Sequence, residues 1–182
     1  VDAIAQSIGA VNTVVEEDGK WVGYNSDCSG AIAALEASTS LKDKNILILG
    51  AGGTAKAIGY GIKEKGGKLT ITYNRNKEKG ENLAKELGCE LIHCRDAGTQ
   101  SIDILINCSP VGMNPNTNES PFLARDFKEG MVVFDSVYNP LETKLLREAK
   151  AAGCKVIPGS ELFINQAARQ FELFTGQPAP ID

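Results

Sequence analysis

The residues with the most chemical content form one short run, Gly50-Ala51-Gly52-Gly53-Thr54-Ala55, between the apolar stretch Asn45 to Leu49 and a helical pattern from Thr54 to Lys65. The form is G-x-G-x-x-A. Gly50 permits a tight turn, Gly52 lets the backbone approach a pyrophosphate, and Ala55 lets helix and strand pack closely. The start of the helix adds unpaired N–H groups and the positive end of its dipole, which favour a phosphate. Strand, turn and helix in this order point to a dinucleotide rather than to a merely structural turn. The tip of the second strand then chooses the cofactor, because an acidic residue about 20 residues beyond the loop would accept from a ribose 2′-hydroxyl. Here the tip reads Asn74-Arg75-Asn76-Lys77, with Lys79 close behind and no carboxylate at the strand end. Arg75 can stack on adenine and hold a 2′-phosphate through two N–H groups, and Lys79 adds a point charge. A plain solvated helix start is a poorer reading, since cations there oppose the dipole. NADP is expected over NAD.

The elements that must position these residues follow a strand–helix rhythm. Asn45 to Leu49 is a continuous apolar run, as a strand buried on both faces requires. Further strands are expected at Leu69 to Tyr73, Glu90 to Ile92, Asp103 to Asn107, Met131 to Asp135 and Lys155 to Ile157. Helices are expected at Lys77 to Leu87 and Thr143 to Ala152. Such alternation predicts an α/β fold with a doubly wound, mostly parallel sheet of the Rossmann type. Ahead of it, Val11 to Val15 and Trp21 to Tyr24 read as a hairpin turned at Asp18-Gly19. Two strands alone make no stable sheet, so the hairpin is expected to need partners absent from this chain. Ser26 is the expected N-cap of a helix reaching about Ala37. In the tail, Leu162, Phe163, Ala167, Phe171 and Phe174 fall near helical spacing, and such a stripe is expected to pack in the core.

Composition removes whole classes of function. The 182 residues are 42% hydrophobic and 23% charged, close to the globular average, which rules out wholesale disorder. A net charge of −4 gives no electrostatic reason to bind nucleic acid or an anionic membrane. No apolar run approaches the ~18 residues of a membrane helix. The start, Val1-Asp2-Ala3-Ile4, has neither Met nor a signal peptide and suggests a piece of a longer chain. Five scattered cysteines without a CxxC speak for a reducing, cytoplasmic-type compartment. With one histidine, His93, and no zinc spacing around Cys89 and Cys94, no metal is expected.

Several segments, in this order and spacing, resemble the shikimate dehydrogenase family. They are Val11-Asn12-Thr13 after Gly9-Ala10, Gly23-Tyr24-Asn25-Ser26-Asp27, the glycine run, Asn74-Arg75, Asn107 to Met113, Asp135 to Leu141, and Gln166-Ala167 before Phe171-Glu172. Ala5 to Asn12 and Phe171 to Gly176 look like the second half of the bifunctional dehydroquinate dehydratase–shikimate dehydrogenase of plants. The resemblance implies NADPH-dependent reduction of 3-dehydroshikimate to shikimate in aromatic amino-acid biosynthesis. It implies that Asn12 bonds substrate hydroxyls, that Asp27 is the carboxylate of a Lys–Asp catalytic pair, and that Tyr138 and Gln166 complete the substrate pocket. Ser109, Val137, Gly159 and Leu162 are implied to line the nicotinamide side, and Gly50, Ala51, Gly52, Gly53, Thr54, Ala55, Asn74, Arg75 and Lys79 the rest of the cofactor site. It divides the chain into a substrate-domain remnant and linker helix (1–39), an NADP-binding domain (40–159) and a C-terminal helix packing back toward the substrate cleft (160–182). A dehydroquinate dehydratase domain fused upstream, and a plastid stroma location, are implied for a plant chain.

The departures set the alternatives. In the family the catalytic lysine and a serine-rich substrate motif lie upstream of the position of Gly9, and this chain has neither. Lys20, on the hairpin turn, matches no catalytic position. The chain is expected to bind NADPH and to turn over poorly or not at all. Quinate or quinate/shikimate dehydrogenase shares these motifs but often prefers NAD, against which Arg75 and Lys79 speak. A metabolite-sensing, dehydrogenase-like domain of a regulator, with no turnover, is the reading from another class.

Overall fold

A computed structural model describes residues 1–181. At its centre is β3 (Asn45–Leu49), whose side chains alternate between two cores. Ile46 and Ile48 join one hydrophobic cluster, Leu47 joins the other with Leu49, and all four are almost wholly buried. A strand apolar on both faces must be covered by helices on both sides, which is the condition for a parallel sheet. Around it lie β4 (Lys68–Tyr73), β5 (Glu90–His93), β6 (Ile104–Asn107), β7 (Val132–Asp135) and β8 (Lys155–Ile157). Their order is β5-β4-β3-β6-β7-β8, with every neighbouring pair parallel. The expected mostly parallel sheet is thus wholly parallel. Strand order reverses between β3 and β6, and a crevice opens there beyond the carboxyl ends of the strands.

Helices α2 (Ser26–Glu36), α3 (Gly53–Glu64) and α4 (Lys77–Leu87) fill one face through Leu35, Ile58, Ile62, Leu83 and Leu87. The other face is filled by α5 (Lys144–Ala151) through Leu145, Leu146 and Ala149, together with Phe122 and Phe127 from the connection between β6 and β7. The last helix, α6 (Gly159–Thr175), packs against α2. Gly30 permits that approach, because a Cβ there would lie 2.8 Å from the Gln166 backbone nitrogen.

Three features differ from the sequence-based expectations. First, α1 (Ala3–Ile8) carries too little helical pattern to be legible. It forms because Asp2 Oδ1 accepts from Ala5 N–H (2.8 Å), Gly9 ends it at φ +68°, and Ala5 and Ile8 are buried. Second, the N-cap of α2 is Asn25, not Ser26. Asn25 is extended and its Oδ1 accepts from Cys28 N–H (3.2 Å), while Ser26 is the first helical residue. Third, the aromatic stripe of α6 is not core. Leu162 is buried, but Phe163, Phe171 and Phe174 are exposed, since the helix turns its Gly159–Leu162 start inward and leaves the later aromatics outside.

The hairpin is β1 (Thr13–Glu17) and β2 (Lys20–Tyr24), turned by Asp18 and Gly19, both at positive φ as a two-residue turn demands. No third strand joins it among the described residues. It is tied instead by Asp2 N–H to Gly23 carbonyl (2.9 Å) and by Gln170 Nε2 to Thr13 Oγ1 (3.0 Å).

The N-cap makes a measurable prediction. Asn25 also donates from Nδ2 to the Ala10 carbonyl (3.3 Å), so Asn25→Ala removes a cap and a tether together. The expected loss is about 1–2 kcal/mol. Thermal denaturation should show it as a fall in Tm of roughly 2–8 °C. An unchanged Tm would mean that the cap contributes nothing.

Candidate active site

Gly50 follows β3 at φ +116°, a conformation that favours glycine, and its N–H donates to Thr72 Oγ1 (3.1 Å). A Cβ at Gly50 would stand 3.1 Å from the Cys108 carbonyl oxygen, so glycine also lets the loops after β3 and β6 close on each other. Gly52 and Gly53 are different. A Cβ at either would meet nothing within 4 Å, so no packing within the chain demands glycine there. Their bare backbone fronts open space at the start of α3. The N-terminus of α3 has no side-chain cap, whereas α1, α2, α4 and α5 are capped by Asp2, Asn25, Asn76 and Thr143. Uncapped N–H groups behind side-chain-free backbone fit a pyrophosphate. Ala55 is fully buried, as close helix–strand packing requires, and Ala51 packs at the edge of the same core.

Asn74, Arg75 and Lys79 lie exposed beyond β4, along the same carboxyl edge of the sheet. Lys77 is paired with Glu81 (3.1 Å), but among the described residues neither Arg75 nor Lys79 is in an ion pair. Two cations without carboxylate partners therefore stand one strand away from the glycine turn.

On the other side of the switch point is a cleft of about 180 Å³ lined by Asp27, Thr54, Ser136, Tyr138, Gly159, Leu162, Phe163 and Gln166. Six of these are residues the sequence singles out: Asp27, Thr54, Tyr138, Gly159, Leu162 and Gln166. The cleft thus brings the glycine-loop helix, the loop after β7, the start of α6 and the first turn of α2 to one place. Ser136 is given no role by the sequence, although it sits inside the Asp135 to Leu141 segment, and Phe163, expected in the core as part of the aromatic stripe, borders the cleft instead. The Phe163 ring leans on that of Tyr138, with centroids 5.4 Å apart.

Asn12 does not line this cleft but touches it through Asp27. Its Nδ2 donates to Asp27 Oδ1 (3.1 Å), while its Oδ1 accepts from Ser26 N–H (2.9 Å) and Ser26 Oγ (3.2 Å). Ser109 and Val137 are not among the lining residues. Ser109 donates from N–H and Oγ to Asn107 Oδ1 (2.9 and 2.7 Å), and Val137 donates from N–H to Asp135 Oδ1 (3.0 Å). Gly159 presses on Val137, since a Cβ there would overlap the Val137 carbonyl oxygen. His93 lies elsewhere, at the end of edge strand β5 against Tyr73, with Nδ1 accepting from Arg95 N–H (3.1 Å). Among the described residues no three metal-ligating side chains converge.

Two family models match this chain: shikimate/quinate 5-dehydrogenase over residues 32–119, and the shikimate 5′-dehydrogenase C-terminal domain over residues 159–182. The shikimate dehydrogenase (NADP(+)) of Methanosarcina acetivorans is 40% identical over 192 residues, covering all of this chain and 68% of that protein. The chain belongs to the shikimate/quinate dehydrogenase family. The bifunctional 3-dehydroquinate dehydratase/shikimate dehydrogenase of Arabidopsis thaliana is 42% identical over 199 residues, covering 99% of this chain. This shikimate/quinate dehydrogenase family member spans 33% of the plant protein and about two thirds of the Methanosarcina one. A crystal structure of shikimate 5-dehydrogenase from Thermus thermophilus with NADP(H) and shikimate superposes with a TM-score of 0.88 at 37% identity, covering 98% of this chain and 67% of that one.

For this family member the electrostatics of Asp27 follow from its place. Burial pushes the carboxyl above its ordinary value of 3.8, and the hydrogen bond from Asn12 pulls it partly back. A carboxyl that holds its proton more tightly folded than unfolded costs stability once ionised. That cost is absent below 3.8 and grows as pH rises through the folded value. Asp27→Asn keeps an acceptor for Asn12 and removes the charge. It should melt above the wild type at neutral pH, with the gap closing as pH falls toward 3.8. Melting curves across a pH series test this, and a gap that does not change with pH would contradict it.

Proposed function

We propose that the chain carries the NADP-binding side, and part of the substrate side, of a shikimate dehydrogenase that reduces 3-dehydroshikimate to shikimate. One observation supports this most. Asp27, Tyr138 and Gln166, which the family resemblance assigns to the substrate, line the same cleft as Thr54, Gly159 and Leu162, which it assigns to the cofactor. The cleft lies beyond the carboxyl ends of a parallel sheet's strands, beside its switch point, where α/β folds place their ligands.

NADPH, when bound, supplies a hydride to the ketone carbon. Gly52, Gly53 and the α3 amides would hold its pyrophosphate, and Asn74, Arg75 and Lys79 its adenosine 2′-phosphate. Ser109, Val137, Gly159 and Leu162 would border the nicotinamide half. A ketone that has accepted a hydride is an alkoxide and needs a proton donor within hydrogen-bond reach. Asp27 and Tyr138 are the titratable side chains lining the cleft, and Asp27 is the one held in a fixed orientation, by Asn12. Its role is to hold a protonated amine in place beside the substrate. The lysine that fills this role in the family has no counterpart among these 182 residues.

The relatives named for NADP and shikimate favour the same reading. All five cysteines are free, which suits a reducing compartment: the cytoplasm, or the plastid stroma for a plant chain. No described helix is long and apolar enough to cross a membrane. A dehydroquinate dehydratase domain ahead of Val1 is the arrangement suggested by the name of the plant relative.

Two measurements test the proposal. Fluorescence titration should find NADPH bound more tightly than NADH. Arg75→Ala should remove a charge-assisted interaction of about 1.5–3 kcal/mol, weakening NADPH roughly 10- to 100-fold and NADH, which lacks the 2′-phosphate, far less. Equal affinity for the two nucleotides would overturn the NADP assignment. In an absorbance assay at 340 nm, the 182 residues alone should bind NADPH without reducing 3-dehydroshikimate. Turnover at an ordinary enzymatic rate would show that the proton comes from a group other than the family's lysine.

A further inference from the structure

Directly behind the cleft lies a polar cluster that the mechanism does not use. Asn107 ends β6, Asp135 ends β7, and Thr143 caps α5; all three have no solvent-exposed surface. Asn107 and Asp135 face each other in register across the parallel pair. Asn107 Nδ2 donates to Asp135 Oδ1 (2.9 Å) and to the Val111 carbonyl (3.3 Å). Thr143 Oγ1 donates to Asp135 Oδ2 (2.6 Å) and accepts from Leu146 N–H (3.3 Å). Asp135 Oδ1 also accepts from Val137 N–H (3.0 Å), and Asn107 Oδ1 holds Ser109 through both its N–H and its hydroxyl.

Asp135 is the only buried side chain of the Asp, Glu, Lys and Arg types among the described residues. A buried carboxylate is a poor way to stabilise a fold, because well-packed apolar residues of the same volume usually do as well or better. What this one does is specific. Asn107 and Asp135 reach forward to Ser109, Val111 and Val137, in the two loops that the proposed function assigns to the nicotinamide side. Val137 is thereby fixed from two directions, by Asp135 at its N–H and by Gly159 against its carbonyl. Thr143 anchors the other carboxylate oxygen to the start of α5, so the charge cannot turn away from the loops.

We propose that Asn107, Asp135 and Thr143 are positioning residues that set the spacing of the Ser109 and Val137 loops and so determine affinity for the nicotinamide half of the cofactor. The proposal rests on the NADP(H) reading above. It concerns the nicotinamide end, since none of the three side chains hydrogen-bonds to the glycine turn or to the Arg75 region.

The test compares two ligands on the same protein. NADPH carries both halves, whereas 2′,5′-ADP carries the adenosine 2′-phosphate end without nicotinamide. Wild type should bind NADPH more tightly than 2′,5′-ADP. Thr143→Val keeps the shape and deletes the donor to Asp135. It should lose about tenfold in NADPH affinity, the scale of one hydrogen bond, and leave 2′,5′-ADP nearly unchanged. Thr143→Ser, which keeps the hydroxyl, should restore the wild-type ratio. Because Thr143→Val also removes the α5 cap, Asn107→Ala serves as a second variant that leaves that cap intact and should shift the ratio the same way. Lower melting temperatures with an unchanged NADPH to 2′,5′-ADP ratio would reduce the cluster to a structural role and overturn the proposal. So would equal wild-type affinity for the two ligands. Wild-type protein that binds neither ligand would instead sink the cofactor reading itself.

Discussion

The site depends on the carboxyl ends of three adjacent parallel strands being held at fixed distances from one another. Leu49 pairs in register with Asn107, and Asn107 with Asp135, so β3, β6 and β7 end level. A parallel sheet has no hairpin turns to impose that alignment; its strands are joined by long crossovers, and their relative positions are set by packing and hydrogen bonding alone. Two features fix them here. The absence of a Cβ at Gly50 lets the Cys108 backbone close on the first turn, and the Asn107–Asp135 pair spans the gap between the next two loops. The cleft is what remains open once those strand ends are level and their connections depart to opposite faces.

On this frame, each part of the site draws on a different kind of local order. In the proposed site the pyrophosphate end would be backbone: bare glycines before an uncapped helix, which need no side chain to be aimed. The proposed adenosine end would be charge: exposed cations at a strand tip, tolerant of position because Coulomb attraction falls off slowly. The substrate end needs geometry, and there the chain uses side-chain bonds with both ends occupied. Asn12 is locked by Ser26 on its oxygen and spends its nitrogen on Asp27. The N-terminal segment is therefore not an appendage to the sheet. Ile8, Leu35 and Ile32 share a core with Ile46 and Ile48, and that shared packing carries Asp27 to the mouth of the nucleotide fold.

What was legible in the sequence was whatever local chemistry alone decides. The apolar run of β3, the glycine form after it, the Asp18-Gly19 turn and the span Lys77 to Leu87 are written in adjacent residues, and the structure reproduces them. Features decided by distant contacts were not legible. Helix α1 has six residues and too few turns to be stable alone, so it exists through burial of Ala5 and Ile8. The α6 aromatics have the period of a core stripe, yet periodicity says only that one face is apolar and not what lies against it; Phe163 borders the cleft instead. At the site, most of the lining residues could be named from motifs, but the pairing of Asn107 with Asp135 and Thr143 could not. It depends on strand register across 28 residues of chain, which no local pattern encodes.

The central claim is that one dinucleotide spans the sheet edge from Arg75, across the Gly52 turn, to the Val137 loop. Backbone amide NMR of the 182-residue chain titrated with NADP⁺ tests it most directly. The account predicts saturable shifts at Gly52, Gly53 and Thr54, at Arg75, and at Ser109 and Val137, with the opposite edge of the sheet around Lys68 and Glu90 undisturbed. Shifts confined to residues away from that carboxyl edge, or none at millimolar nucleotide, would contradict it.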